Sequence, residues 1–220
     1  MKSILVATGH DGGDHFNDAQ VVIPNESNTC SLPPVPKAFN GGTGGVVDNS
    51  IILCGGYNDE EPLSTCHIFD NESKSWNTTN MSSRRYAPAS APLNGALWVS
   101  GGHNGNGDTL SSSELIYQNG TVRPGPLLPS QMSYHSVVTL KEDESYMVID
   151  DFGNIYMYNP LSENFSKMPS TGNRFNRATC ASFKSAAHGN RPVVVCVGRG
   201  KKAKIFDYTT ASEWEKSKLF

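Results

Sequence analysis

Leu97-Trp98-Val99-Ser100-Gly101-Gly102 is a short apolar run that ends on two glycines, and the chain repeats it. Ile4-Leu5-Val6-Ala7-Thr8-Gly9, Ile51-Ile52-Leu53-Cys54-Gly55-Gly56, Tyr146-Met147-Val148-Ile149-Asp150-Asp151 and Val193-Val194-Val195-Cys196-Val197-Gly198 share its design. The runs end at residues 9, 56, 102, 151 and 198, in steps of 47, 46, 49 and 47. A regular step of that length marks tandem units, each burying a face that its neighbours cover.

A second column keeps the same register. Asn25-Glu26-Ser27 and Asn71-Glu72-Ser73 are identical tripeptides 46 residues apart, and Cys30, Trp76, Val122, Phe165 and Trp214 follow near one position of the unit. Runs of four to six β-branched or aromatic residues bounded by Gly, Pro, Asn and Asp read as strands. Ser212 to Leu219 could form a short helix, but the repeat places a strand there. About four strands per unit of this length is the arithmetic of a β-propeller blade, so the fold class is all-β.

Composition agrees. The chain has 220 residues, 18 basic against 21 acidic, a formal charge of −3, and 21 glycines and 13 prolines to punctuate short strands. Its near-neutral balance lacks the basic field that nucleic-acid binding uses, and no run of about 18 apolar residues suggests membrane insertion. Met1-Lys2-Ser3-Ile4-Leu5-Val6-Ala7 begins like a signal peptide, but Thr8-Gly9-His10-Asp11 interrupts it, so no export signal is read there.

The glycine pairs, the aromatic column Phe69, Tyr117, Tyr158 and Phe206, the Trp column and Met81-Ser82-Ser83-Arg84-Arg85 together resemble kelch repeats. Met81 to Gly102 fits that pattern best, through Leu93-Asn94-Gly95 and the run that follows. The pattern is departed from where Thr8, Asp150 and Val197 replace the first glycine and Asp151 the second. The paired glycines are expected to admit a neighbouring ring onto bare backbone and to allow positive φ, and Trp76 and Trp214 to pack between blades.

The resemblance implies blades of four strands, a to d from the channel outward. The boundaries are residues 1–34 for a partial first blade, then 35–80, 81–129, 130–170 and 171–220. The first starts at its b strand, so 19 strands in about five blades are expected. An incomplete circle exposes strand edges, which favours part of a larger ring of six or seven blades over a small ring lacking one strand.

Five cysteines are an odd set. Cys54 with Cys66, on neighbouring b and c strands, and Cys180 with Cys196, on a and b, are the disulfide candidates; buried thiols are the alternative, and Cys30 is the natural odd residue. Six sequons stand at Asn25, Asn71, Asn77, Asn80, Asn119 and Asn164 as glycosylation candidates. With the cysteines they tilt the expectation toward a secreted or extracellular setting over a cytoplasmic one.

Candidate chemistry is sparse. His10-Asp11-Gly12-Gly13-Asp14-His15 with Asp18 gathers metal-type side chains, but it aligns with the turn His103-Asn104-Gly105. Asp150-Asp151, with Glu142, Asp143 and Glu144 upstream, reads as turn chemistry, and Gly198 to Lys204 as a hydrated hairpin tip. No nucleophile elbow occurs. No catalytic residue, metal or cofactor is therefore expected.

In the family, as the resemblance implies, ligands meet residues just after the glycine pair and in the d–a loops. Here those are Tyr57, Asn58, His103, Asn104 and Phe152, with His10, Asp11 and Arg199, and then Arg84, Arg85, Tyr134, His135 and Arg174, with Arg177. Either Arg84 or Arg85 could instead brace a local acid. The expected function is a non-catalytic interaction module for a protein or peptide ligand. The alternatives are the recognition part of a cullin-type ubiquitin ligase adaptor, which needs a BTB domain, and a carbohydrate enzyme of the galactose-oxidase or sialic-acid-epimerase type.

Overall fold

The structure is a computed structural model that describes residues 4–23, 29–140, 145–172, 174–175, 177, 179–198, 202–206 and 214–215, with side chains from residue 5 as far as residue 198. Asn25, Glu142 to Glu144, Arg199 and the Trp214 side chain lie outside it.

Every described strand is antiparallel to its neighbours, and the strands fall into five sheets in chain order. The first sheet holds β1 (Ile4–His10), β2 (His15–Val22) and β3 (Thr29–Leu32). The second holds β4 (Thr43–Val47), β5 (Ser50–Cys54), β6 (Thr65–Asp70) and β7 (Ser75–Asn80). The third runs β8 (Ala89–Leu93), β9 (Ala96–Ser100), β10 (Ser113–Tyr117) and β11 (Val122–Pro124). The fourth runs β12 (Ser136–Leu140), β13 (Ser145–Ile149), β14 (Ile155–Asn159) and β15 (Asn164–Met168). The fifth runs β16 (Thr179–Ser185), β17 (Arg191–Gly198), β18 (Lys202–Phe206) and β19 (Trp214–Glu215), with a short 3-10 turn at Ala186–His188. The expected nineteen strands are all present, and β1 stands where the other blades have their second strand.

Strand sequence follows position in the blade. All five residues of β9 and of β13 are buried, because each strand has a sheet packed on both faces and can be apolar throughout. β7 and β15 are outermost, largely exposed, and polar. The core lies between blades. Ile52, Cys54, Cys66 and Ile68 of the second blade meet Leu97, Val99 and Ile116 of the third. Trp98 and Leu128 meet Tyr146, Val148 and Tyr158 of the fourth, and Ile149 and Ile155 meet Val194 and Cys196 of the fifth.

Trp76 is partly buried between the first two blades, beside Phe69, and its indole N–H donates to Pro33 O at 2.8 Å. The largest fully buried side chain is Trp98, inside a b strand and outside the expected column. Disulfides join Cys54 to Cys66, in register across β5 and β6, and Cys180 to Cys196, across β16 and β17. Cys30 is free and exposed.

The glycine pairs show the expected positive φ, but their first members work differently from the expected ring packing. A Cβ on Gly55 would lie 2.4 Å from Arg85 O, and one on Gly101 2.3 Å from Met132 O. Both glycines have φ near +60°, where L side chains are disfavoured. It is the next blade's entry loop, running as backbone against backbone, that excludes a side chain here. The expected aromatic contact occurs at the second glycine, where Gly56 faces the Phe39 ring.

Candidate functional site

The β5–β6 and β9–β10 connections and the β7–β8 loop between blades emerge at one end of the strands. In each case the residue after the glycine pair is fixed by backbone pairing. Tyr57 exchanges two hydrogen bonds with Asn40, at 2.8 and 3.0 Å, and His103 exchanges two with Tyr86, at 2.8 and 2.9 Å. The side chains are thereby aimed along the end of the blades.

They form a row. The Tyr57 and Tyr86 ring centroids are 5.7 Å apart, Tyr86 meets Tyr134 edge-on at 5.8 Å, and His103 meets Tyr134 at 5.9 Å. Gly41 makes room for the Tyr86 ring, which would lie 2.3 Å from a Cβ there. Tyr134 holds its place in a left-handed backbone conformation, φ +51°, which costs a non-glycine residue about 1 kcal/mol or more. Burial and a hydrogen bond with the Tyr86 hydroxyl push the Tyr134 phenol up to about 12, opposed by Arg177, whose guanidinium lies 4.8 Å over its ring.

Tyr57 and Tyr86 wall a cavity of about 450 Å3 together with Glu60, Glu61, Pro62, Arg84, His103 and the turn from Asn104 to Gly107. Arg84 and Glu61 form an ion pair across it, both about half exposed. Thus Tyr57, Arg84, His103 and Asn104 meet in one place. Tyr86, Glu60, Glu61 and Pro62 escaped the sequence reasoning. Tyr86 directly follows the arginine pair in the interblade loop, which was the available signal.

Further round, Phe152 is 61% exposed under the Arg174 guanidinium at 4.6 Å, and Arg174 pairs with Asp151 at 3.1 Å. Asp150 is buried and caps its own turn, accepting from the Phe152 and Asn154 backbone N–H groups at 2.9 and 2.8 Å.

Two expected contact residues belong to the interior. Arg85 is 0% exposed, bonds Gly101 O at 2.8 Å and Ser112 O at 2.9 Å, and pairs with Glu114 at 3.0 Å. It braces the loop against the third blade, since its carbonyl must turn to Gly56 N and its side chain then points inward. His135 is also buried, with Nε2 2.9 Å from the Ser100 hydroxyl; burial, helped by the charge of Arg85, pushes its imidazole down to about 3. Asn58 does not line the cavity; its side-chain carbonyl caps Glu61 N at 3.1 Å.

The early histidine-aspartate segment is likewise engaged. Asp11 accepts from Gly13 and Asp14 N–H, and these bonds hold its carboxyl below the usual range. His15 lies 2.7 Å from Asp59 through Nδ1 and contacts Asn40 through Nε2. Among the described residues no three His, Cys, Asp or Glu side chains are grouped to hold a metal.

Asn71, Asn77, Asn80, Asn119 and Asn164 are all exposed. Asn71 bonds Asn49 O in the β4–β5 turn, and Asn119 lies beside Asp48 and Gly95, so both sit at the end of the blades away from the tyrosine row.

Residues 38–79, which contain all of the second sheet except its last residue, Asn80, match the kelch motif. No curated protein sequence matches the chain. Among solved structures, that of YjhT superposes with a TM-score of 0.70 over 90% of this chain and 79% of its own, at 10% identity, a likeness of fold alone. In all, 261 solved chains match in structure, too many for the fold to distinguish one function from another. Among the described residues no helix is long and apolar enough to cross a membrane.

Proposed function

We propose, from the kelch motif in residues 38–79 and the β-propeller fold, that the chain is a non-catalytic recognition module that takes a protein or peptide partner on the Tyr57–Tyr86–Tyr134 face. The carrying observation is the cavity between two blades, walled by tyrosines and continuing as an aromatic row toward Tyr134. Rigid aromatic rings supply contact area at low entropic cost and dominate the energy of many interfaces. Candidate chemical groups nearby are committed to structural bonds: Asp150 to its turn, Asp151 to Arg174, and His103 Nδ1 to the Thr109 hydroxyl at 3.1 Å. The two cross-strand disulfides are compatible with an oxidising compartment and support the reading of a secreted or extracellular protein, in which the exposed sequons would carry N-glycans.

Selection of displayed random peptides against the folded chain, followed by calorimetry, tests the face. Tyr57→Ala and Tyr134→Ala should each weaken selected peptides by about 1 kcal/mol or more, roughly fivefold, while Asn119→Ala leaves them unchanged. Peptides indifferent to both tyrosines would overturn the assignment. Intact mass of the native protein before and after reduction checks the glycans and bridges.

A further inference from the structure

The cavity's unsatisfied charge is negative. Its guanidinium, Arg84, is already held by Glu61. Glu60, on the same loop, is exposed and has no partner among the described residues. Asp59 beside it is engaged by His15. The walls reinforce that sign. Tyr57 and Tyr86 meet with their planes inclined at 59°, forming a wedge whose ring faces carry the negative part of the aromatic quadrupole. The Tyr57 hydroxyl donates its proton to Asp59 O at 3.3 Å, which leaves its oxygen lone pairs as acceptors.

Resting on the recognition face argued above, we propose that this cavity receives a cationic side chain, lysine or arginine, of a peptide partner. The charged head lies against the Tyr57–Tyr86 wedge and Glu60, and the aliphatic stem lies along Pro62. The volume of about 450 Å3 accommodates one long side chain. A carboxylate would have to displace Glu61 from Arg84 and then sit beside Glu60, exchanging an existing ion pair for a like-charge contact.

The test is an NMR titration of the 220-residue chain, followed on tyrosine ring resonances, with the Nα-acetyl methylamides of lysine, arginine, norleucine and glutamate. Lysine and arginine amides should shift the Tyr57 and Tyr86 rings with dissociation constants on the order of millimolar. The norleucine amide should bind about fivefold more weakly or worse, which separates charge from hydrophobic contact. Glu60→Lys should weaken the cationic amides by about tenfold or more without moving the unfolding midpoint, since Glu60 is exposed and unpartnered. Stronger shifts from the glutamate amide, cationic binding that survives Glu60→Lys, or no shift from any amide would each overturn the proposal. In the first case the face remains a recognition face of opposite preference; selected peptides indifferent to the tyrosines would instead remove the face itself.

Discussion

Arg85→Met is expected to cost about 3–5 kcal/mol of folding stability, the range for removing one member of a buried ion pair. The structure shows why. The guanidinium is fully buried and spends its donors on Gly101 O, Ser112 O, the Ser112 hydroxyl and Glu114, all within the third blade. Burial lowers its pKa, and the hydrogen bond and charge of Glu114 oppose that fall. In Arg85→Met the Glu114 carboxylate stays buried and keeps the Ser82 N–H bond at 2.7 Å, Gly101 O loses the guanidinium donor, and Ser112 O loses one of two donors, retaining Gly101 N–H at 3.0 Å. Arg85→Met/Glu114→Gln removes the stranded charge and keeps an acceptor for Ser82. It should therefore recover about 2 kcal/mol relative to the single variant. Urea unfolding at pH 7, followed by tryptophan fluorescence with m-values compared across the cycle, measures this. A cost below about 1 kcal/mol for Arg85→Met, or a double variant no better than the sum of the singles, would refute the brace.

Three other outcomes follow from the same geometry. Cys54→Ala/Cys66→Ala should lose about 3 kcal/mol by loop-closure entropy, and Cys180→Ala/Cys196→Ala about the same, read in the same unfolding assay; losses under about 1 kcal/mol would mean the bridges constrain little. His67 and His135 are buried with their imidazoles pushed down, chiefly by burial, to about 4 and about 3, whereas an unfolded histidine titrates near 6.5. The unfolded chain thus binds protons first, so stability is full above pH about 6.5 and falls by up to about 1.4 kcal/mol per pH unit per histidine down to about pH 4. His67→Leu should flatten that slope, and an unchanged slope would exonerate His67. Gly55→Ala and Gly101→Ala should each cost about 3 kcal/mol or more from the carbonyl clash plus positive φ, while Gly107→Ala, with open space around it, costs about 1 kcal/mol of backbone strain; thermal melts of the three compare them.

The blade pattern was legible because each of the five apolar runs became a b strand or its equivalent, β1, β5, β9, β13 and β17, buried by the period of the repeat. The site was legible only to its neighbourhood. Arg84-Arg85 is one dipeptide, yet one side chain stands in the cavity and the other is buried, a choice made by the bond from Gly56 N to Arg85 O in the preceding blade. Likewise Tyr134 and His135 are adjacent, and only the first joins the row. Local composition does not carry that distinction, because it depends on which carbonyl the next blade's loop must present. Tyr86 was passed over because its role depends on empty space at Gly41, 45 residues away in the chain.

Gly41, Ala87, Tyr134 and Arg177 occupy one corner of successive blades, each with φ between +51° and +72°. Ala87 N bonds Gly41 O at 2.8 Å and Tyr134 N bonds Ala87 O at 3.0 Å, so the first three corners are spliced by main-chain atoms; Arg177 N turns instead to the Asp151 carboxylate. A splice made of backbone is indifferent to the side chain it carries, which is why four different residues can stand there. Each corner then behaves like a socket of fixed geometry with an interchangeable fitting: a hydrogen atom under the Tyr86 ring, a methyl group, a phenol in the aromatic row, a guanidinium above that phenol. A lineage of such chains could rewrite what the face recognises one corner at a time while the joints between blades stayed the same.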